Sequence, residues 1–159
     1  MRLSGRIIGW TCAVAAGALV VSPLTAAARP AQASGTAYGG VTAQEFPVVI
    51  ETSKNGRKVV RATIAIRLAC SSGAIVIVPD GYMAVSVSKQ RKFSASFGPM
   101  TNRNDDGTTT DIEGSFSGSF NKARTKASGK WALKATDHDA AGAITDTCDS
   151  GSVSWTAKQ

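Results

Sequence analysis

His138 is the only histidine of the chain, so a Ser-His-Asp or Cys-His relay would have to be built on it. It sits in Asp137-His138-Asp139, away from any G-x-S-x-G elbow, and reads as an exposed loop residue. Carboxylates gather in two further stretches: Asp105, Asp106, Asp111 and Glu113 in one, Asp137, Asp139, Asp146 and Asp149 in the other. A hard cation needs several oxygens converging on one point, which makes Asp105, Asp106, Asp137 and Asp139 the calcium candidates. Their spacing matches no EF-hand, and Asp is also an ordinary turn residue. A glycosidase would need a carboxylate pair across a cleft, and linear spacing does not define one. No catalytic residue is assigned on these grounds, and no cofactor motif is present.

The basic residues form a clearer pattern. Lys122, Arg124, Lys126, Lys130 and Lys134 are all even-numbered, so in an extended segment they project from one side. Lys89, Arg91 and Lys92 could join them. Such a stripe suits a polyanion of the cell envelope, an anionic lipid headgroup or nucleic acid; the plainer reading is a solvated face whose lysines guard strand edges. Gly129 is the point at which the register could break.

Export is expected from the N-terminus. Arg2 and Arg6 precede an apolar run from Ile7 to Leu24, and Ala31-Gln32-Ala33 follows. A positive flank, an apolar middle and an A-x-A end describe a signal peptide over residues 1–33, with Ala28 as a second cleavage point and an uncleaved membrane anchor as the alternative. A single domain over residues 34–159 would remain, long enough to bury a core without a dense disulfide framework. Arg2, Arg6 and Arg29 leave with the signal, lowering the formal net charge from +7 to +4. With so small a charge and no binding motif, nucleic acid is not the expected partner. Cys12 also leaves, so Cys70 and Cys148 can make only one intramolecular bridge.

The elements that would carry these residues are strands. From Lys58 to Cys70, alternate residues (Val60, Ala62, Ile64, Ile66, Leu68) are apolar, the pattern of a half-buried strand. Phe46 to Thr52 precedes it across Asn55-Gly56, a strong hairpin signal. Ser34 to Gly40 reads as a flexible lead into a short edge strand, Ala37 to Thr42. Ala74 to Val78 is apolar on both sides and reads as a strand covered on both faces or one at a sheet crossing, ended by Pro79-Asp80-Gly81. Short strands follow at 83–87 and 93–97, then a loop from Gly98 to Gly107. Ile112 to Phe120 places Gly114 and Gly118 on the same side as Phe116 and Phe120, leaving room for neighbouring rings. Strands at Lys130–Thr136 and Val153–Ala157 end the chain, with Cys148 in an acidic loop between them. Eight or nine short strands without a helical period predict an antiparallel β-sandwich, with a closed barrel as the alternative. The aromatic core should comprise Phe46, Phe93, Phe97, Phe116, Phe120, Trp131 and Trp155.

The strand ending in Cys70, the Gly/Phe strand, Gly129-Lys130-Trp131 and the segment from Cys148 to Ala157 (CDSGSVSWTA) together resemble small secreted β-proteins of actinobacterial type that lack an assigned function. The resemblance covers most of the mature chain and implies a secreted sandwich-like domain; it carries no catalytic residue. The function expected is therefore non-enzymatic: a secreted or envelope-associated binding or structural module. An extracellular hydrolase using loop carboxylates is one alternative. A protease inhibitor presenting the loop from Pro99 to Gly107 is the other.

Overall fold

A computed structural model describes residues 34–159. The signal peptide expected over residues 1–33 lies outside the described residues. Nine strands make up the domain: β1 (Ser34–Thr42), β2 (Pro47–Ser53), β3 (Lys58–Cys70), β4 (Ile75–Ser86), β5 (Lys92–Arg103), β6 (Thr109–Phe120), β7 (Lys126–His138), β8 (Ile144–Asp149) and β9 (Val153–Lys158). Every pairing is antiparallel, in the order β4-β3-β2-β1-β9-β7-β6-β5, and β8 joins β3 to β7. The fold is all-β and sandwich-like. One layer runs through β4, β3, β2 and β1, the other through β9, β7, β6 and β5. Tyr82 of β4 packs its ring on Phe116 of β6 and Trp131 of β7, at centroid distances of 5.4 and 5.0 Å. Those strands do not pair with β4, so the rings meet between the layers, Phe116 stacked on Tyr82 and Trp131 edge-on to it.

The alternation read for β3 is present: Val60, Ala62, Ile64, Ile66 and Leu68 are buried. Val59 is buried too, because the β2–β3 register shifts beside Glu51 and Thr52 and turns two successive valines inward. The hairpin between β2 and β3 turns at Gly56, whose φ of 65° suits glycine. Aromatic rings occupy the space the glycines leave. In register across four strands, Phe93, Gly118, Gly129 and Trp155 form one inward row. A Cβ on Gly118 would sit 2.6 Å from the Phe93 ring and 2.7 Å from Trp155.

Gly129 is tighter still, since a Cβ there would collide with the backbone oxygen of Ser117 as well as with Trp155. Gly39, also in a strand, faces open space. Gly129→Ala is therefore expected to destabilise by about 2–3 kcal/mol or to prevent folding, whereas Gly39→Ala should be neutral or stabilising by a few tenths of a kcal/mol. Urea denaturation of both variants checks the contrast, and equal midpoints would contradict it.

Several expectations are corrected. Ser34 to Gly40 is strand, and β1 is an interior strand between β2 and β9. Its glycines serve close packing: a Cβ on Gly40 would strike the Thr156 backbone. The segments at 74–78 and 83–87 are one strand, β4, which runs straight through Pro79. Proline is tolerated there because β4 is an edge strand whose second side needs no N–H. The apolar run is uncovered: Ile75, Val76 and Ile77 are 66, 40 and 55 % exposed. The loop from Gly98 to Gly107 is mostly strand, with Met100 to Arg103 pairing β6 beyond a bulge. The acidic loop around Cys148 contains β8. Phe46 stays outside the core and lies under the Arg67 guanidinium, 5.7 Å from it. Tyr38 and Tyr82 take core places instead.

Candidate functional site

Hairpin turns bring basic residues from distant parts of the sequence to one end of the domain. Arg124 donates from Nη1 to the carbonyl of Gly56 at 2.7 Å, joining the β6–β7 turn to the β2–β3 turn. The amide of Val87 donates to the Arg57 carbonyl at 2.9 Å, and that of Phe120 to the Arg91 carbonyl at 3.0 Å, which ties in the β4–β5 turn. The amide of Gln159 reaches the Thr125 carbonyl at 3.1 Å, adding the C-terminus. The first turn carries Lys54, Arg57 and Lys58; the second, Lys89, Arg91 and Lys92; the third, Lys122, Arg124 and Lys126; β9 adds Lys158 directly opposite Lys126. No Asp or Glu occurs in these turn segments.

From this end a shallow trough of about 900 Å³ runs onto the outer face of β5, β6, β7 and β9. Its side chains follow from strand alternation, because the inward row of Phe93, Gly118, Gly129 and Trp155 forces the flanking rows outward. One outward row is Ser94, Ser117, Lys130 and Ser154; the next is Lys92, Ser119, Ser128 and Thr156. Neighbours stand about 4.8 Å apart across strands and about 6.8 Å apart along them. The surface is a grid of hydroxyls with Lys92 and Lys130 set into it. Further along the same face, a second hollow of about 640 Å³ includes Ser96, Ser115 and Ala132 and meets the first acidic group, Glu113.

The stripe read from the sequence is thus partly present. Lys126, Lys130 and Lys134 share the outer face of β7, and Gly129 does not break the register, which runs unshifted along the β6–β7 pairing. Residues 121–125 form a turn, so Lys122 and Arg124 leave the stripe. Arg124 is a structural residue: besides the Gly56 bond it lies 5.6 Å from the Phe120 ring, and its carbonyl accepts the Tyr38 hydroxyl at 2.7 Å. Burial raises the pKa of that hydroxyl, which keeps it a donor. Lys134 lies 3.8 Å from Glu113 and opposite Asp149, so its charge is compensated. The convergence of the three turns was not visible in the sequence. Its only trace was the repeated placement of basic residues around strand junctions.

Acidic groups collect at the opposite end. Asp105 and Asp106 lie in the β5–β6 turn and Asp139 in the β7–β8 turn, next to each other because Thr109 pairs with His138. Asp106 accepts from the amide and hydroxyl of Thr108, and Asp139 from the amides of Ala141 and Ala143. Asp137 accepts from Thr110 at 2.6 Å. Three of the four calcium candidates, Asp106, Asp137 and Asp139, are used as turn and strand acceptors, and no three of these carboxylates converge among the described residues. Asp146 does approach Cys70 and Cys148, but both sulfurs are committed to their disulfide. Hydrogen bonds from Ser71 and Ser72 hold Asp146 well below the usual carboxylate range and fasten the turn after β3 to β8.

His138 lies between acceptors. Its Nε2 is 3.3 Å from Asp111 Oδ2, off the line a hydrogen bond needs, and its Nδ1 is 3.3 Å from the Gly142 carbonyl. Thr101 donates to the same Asp111 at 2.5 Å. The order is hydroxyl, carboxylate, imidazole, whereas a nucleophilic relay requires the imidazole in the middle. Of the loop considered for protease inhibition, residues 100–103 are paired with β6, which leaves the turn at 104–108.

The Cys70–Cys148 bridge joins directly opposed residues of β3 and β8 and marks an oxidising compartment. Among the described residues no helix is long and apolar enough to cross a membrane. No protein-family model, curated protein or solved structure matches the chain.

Proposed function

We propose that this is an exported, non-enzymatic binding module for an extended polyanion of the cell envelope, held at the basic end and along the hydroxyl trough. One observation carries the reading: basic residues from three turns converge with Lys158 of β9, the turn segments hold no Asp or Glu, and a face of regularly spaced hydroxyls lies beside them. Lysine ammonium groups supply point charges for phosphate or carboxylate oxygens, and the serines supply neutral donors between them. A repeating anionic chain suits a repeating grid better than a single compact ligand does. The signal peptide supplies export, and the disulfide is consistent with it.

Inorganic polyphosphate and a neutral dextran are the probes. Polyphosphate should bind with an affinity that falls steeply with salt, and dextran should not bind. Lys92→Gln and Lys130→Gln should each weaken polyphosphate binding about fivefold, while Lys134→Gln, whose charge Glu113 already offsets, should change it less than about twofold. Salt-insensitive binding, or equal losses in all three variants, would remove the proposal.

A further inference from the structure

Between β4 and the β6–β7 pair lies a further cavity, unrelated to the basic face. It measures about 410 Å³, toward the low end of ligand-pocket sizes. Leu68 of β3, Val76 and Val78 of β4, Ile112 of β6, and Leu133 and Ala135 of β7 supply its apolar walls. Its polar groups are Asp80, Thr110 and Asp137, and no basic side chain lines it. Asp80 is engaged within the chain: Oδ2 accepts Trp131 Nε1 at 3.0 Å, and Oδ1 accepts the Gly81 amide at 2.8 Å. Asp137 accepts the Thr110 hydroxyl through Oδ1, which leaves Oδ2 for a donor from outside. The adjoining turns add Asp105, Asp106 and Asp139, with Arg103 and His138 as the basic residues at this end of β5 and β7.

Apolar walls reward an apolar body, and a half-buried carboxylate without a basic neighbour in the lining rewards a positive head. An anionic amphiphile of the same shape would face like charge. We propose that this cavity is a binding site for small amphipathic cations, with the apolar body between β4 and the β6–β7 pair and an ammonium group at Asp137. The mouth is open to such a molecule, since Val76 at its rim is 40 % exposed.

Phenylbutylamine and phenylbutanoate share a body and differ in the sign of the head. Titration of the full mature chain, followed by amide chemical shifts, should give saturable changes for the amine at Val78, Thr110, Ile112 and Ala135. The acid should bind about tenfold more weakly or not at all. Asp137→Asn should reduce amine affinity about five- to tenfold without weakening the acid. Val76→Trp, at an exposed edge position that tolerates the larger side chain, should obstruct the mouth and weaken the amine. Equal affinities for amine and acid, shifts confined to the hydroxyl trough, or no saturable shift would each overturn the proposal.

Discussion

Reduction of the Cys70–Cys148 bridge should lower the stability of the domain by about 4–5 kcal/mol, the chain-entropy value for a closed loop of this size; the bridged residues are 78 positions apart. The structure adds a reason for the loss to begin locally. β8 is held to β3 by only two residue pairs, Ala69 with Asp149 and Cys70 with Cys148, yet it is the strand that links β3 to β7. Without the covalent link, β8, which keeps five residue pairs to β7, should part from β3 before the rest opens. Urea denaturation with and without a phosphine reductant measures the first effect, and hydrogen exchange of the β8 amides measures the second. An unchanged urea midpoint after verified reduction would show that the bridge contributes no net stability.

Trp131→Ala should be nearly as damaging, at about 3–5 kcal/mol. The side chain is fully buried, with ring centroids 4.7 Å from Phe116 and 5.0 Å from Tyr82. It thus joins the two layers through an edge-to-face contact with Tyr82. Its indole also donates to Asp80 Oδ2 at 3.0 Å, across from β7 to the edge strand β4. Alanine removes the volume and this donor together. Trp131→Phe retains most of the volume and should cost about 1–3 kcal/mol, the range for a lost hydrogen bond to a charged group plus a small void. If the two substitutions cost the same, the hydrogen bond, and not the packing, holds β4 against the second layer. The Tyr82 hydroxyl is buried nearby without a partner; burial first, and then the charge of Asp80, push its pKa up.

Legibility in the sequence followed the strength of alternation. β3, β7 and β9 each present one apolar face to the core and one wet face to solvent, so their period of two is plain in the residue types. The bridge was legible because only two cysteines lie beyond residue 33. β1 was obscured by its composition, since Gly39 and Gly40 have no side chain to alternate; the backbones of β2 and β9 on either side hold it in place. β4 was split in the reading by Pro79 and Gly81, residues that end an interior strand but not an edge strand. β5 and β6 extend through Asx-rich sequence because their ends project beyond the core, where polar residues pair without burial penalty.

Of the candidate site, alternation along β7 was accessible and convergence was not. Lys126 and Lys130 could be placed on one face from their spacing. The meeting of residues 53–58, 87–92 and 121–126 depends on pairings between strands far apart in sequence, of which single residue types carry no record. Arg124 shows the other limit. Its even number placed it with the lysines, but a turn conformation with φ of 55° sends its guanidinium to Gly56 instead.

The separation of charge along the strands also gives the molecule a direction. β7 has 13 residues, about 40 Å from end to end, several times the Debye length of about 8 Å at physiological salt. Each end therefore acts as its own electrostatic body, and a net charge of +4 for residues 34–159 describes neither. Near an anionic surface, one end is drawn in while the other is pushed away, which turns the long axis toward the surface normal. Molecules captured in this way would stand side by side with a common polarity. Their acidic ends and open apolar mouths would then face outward.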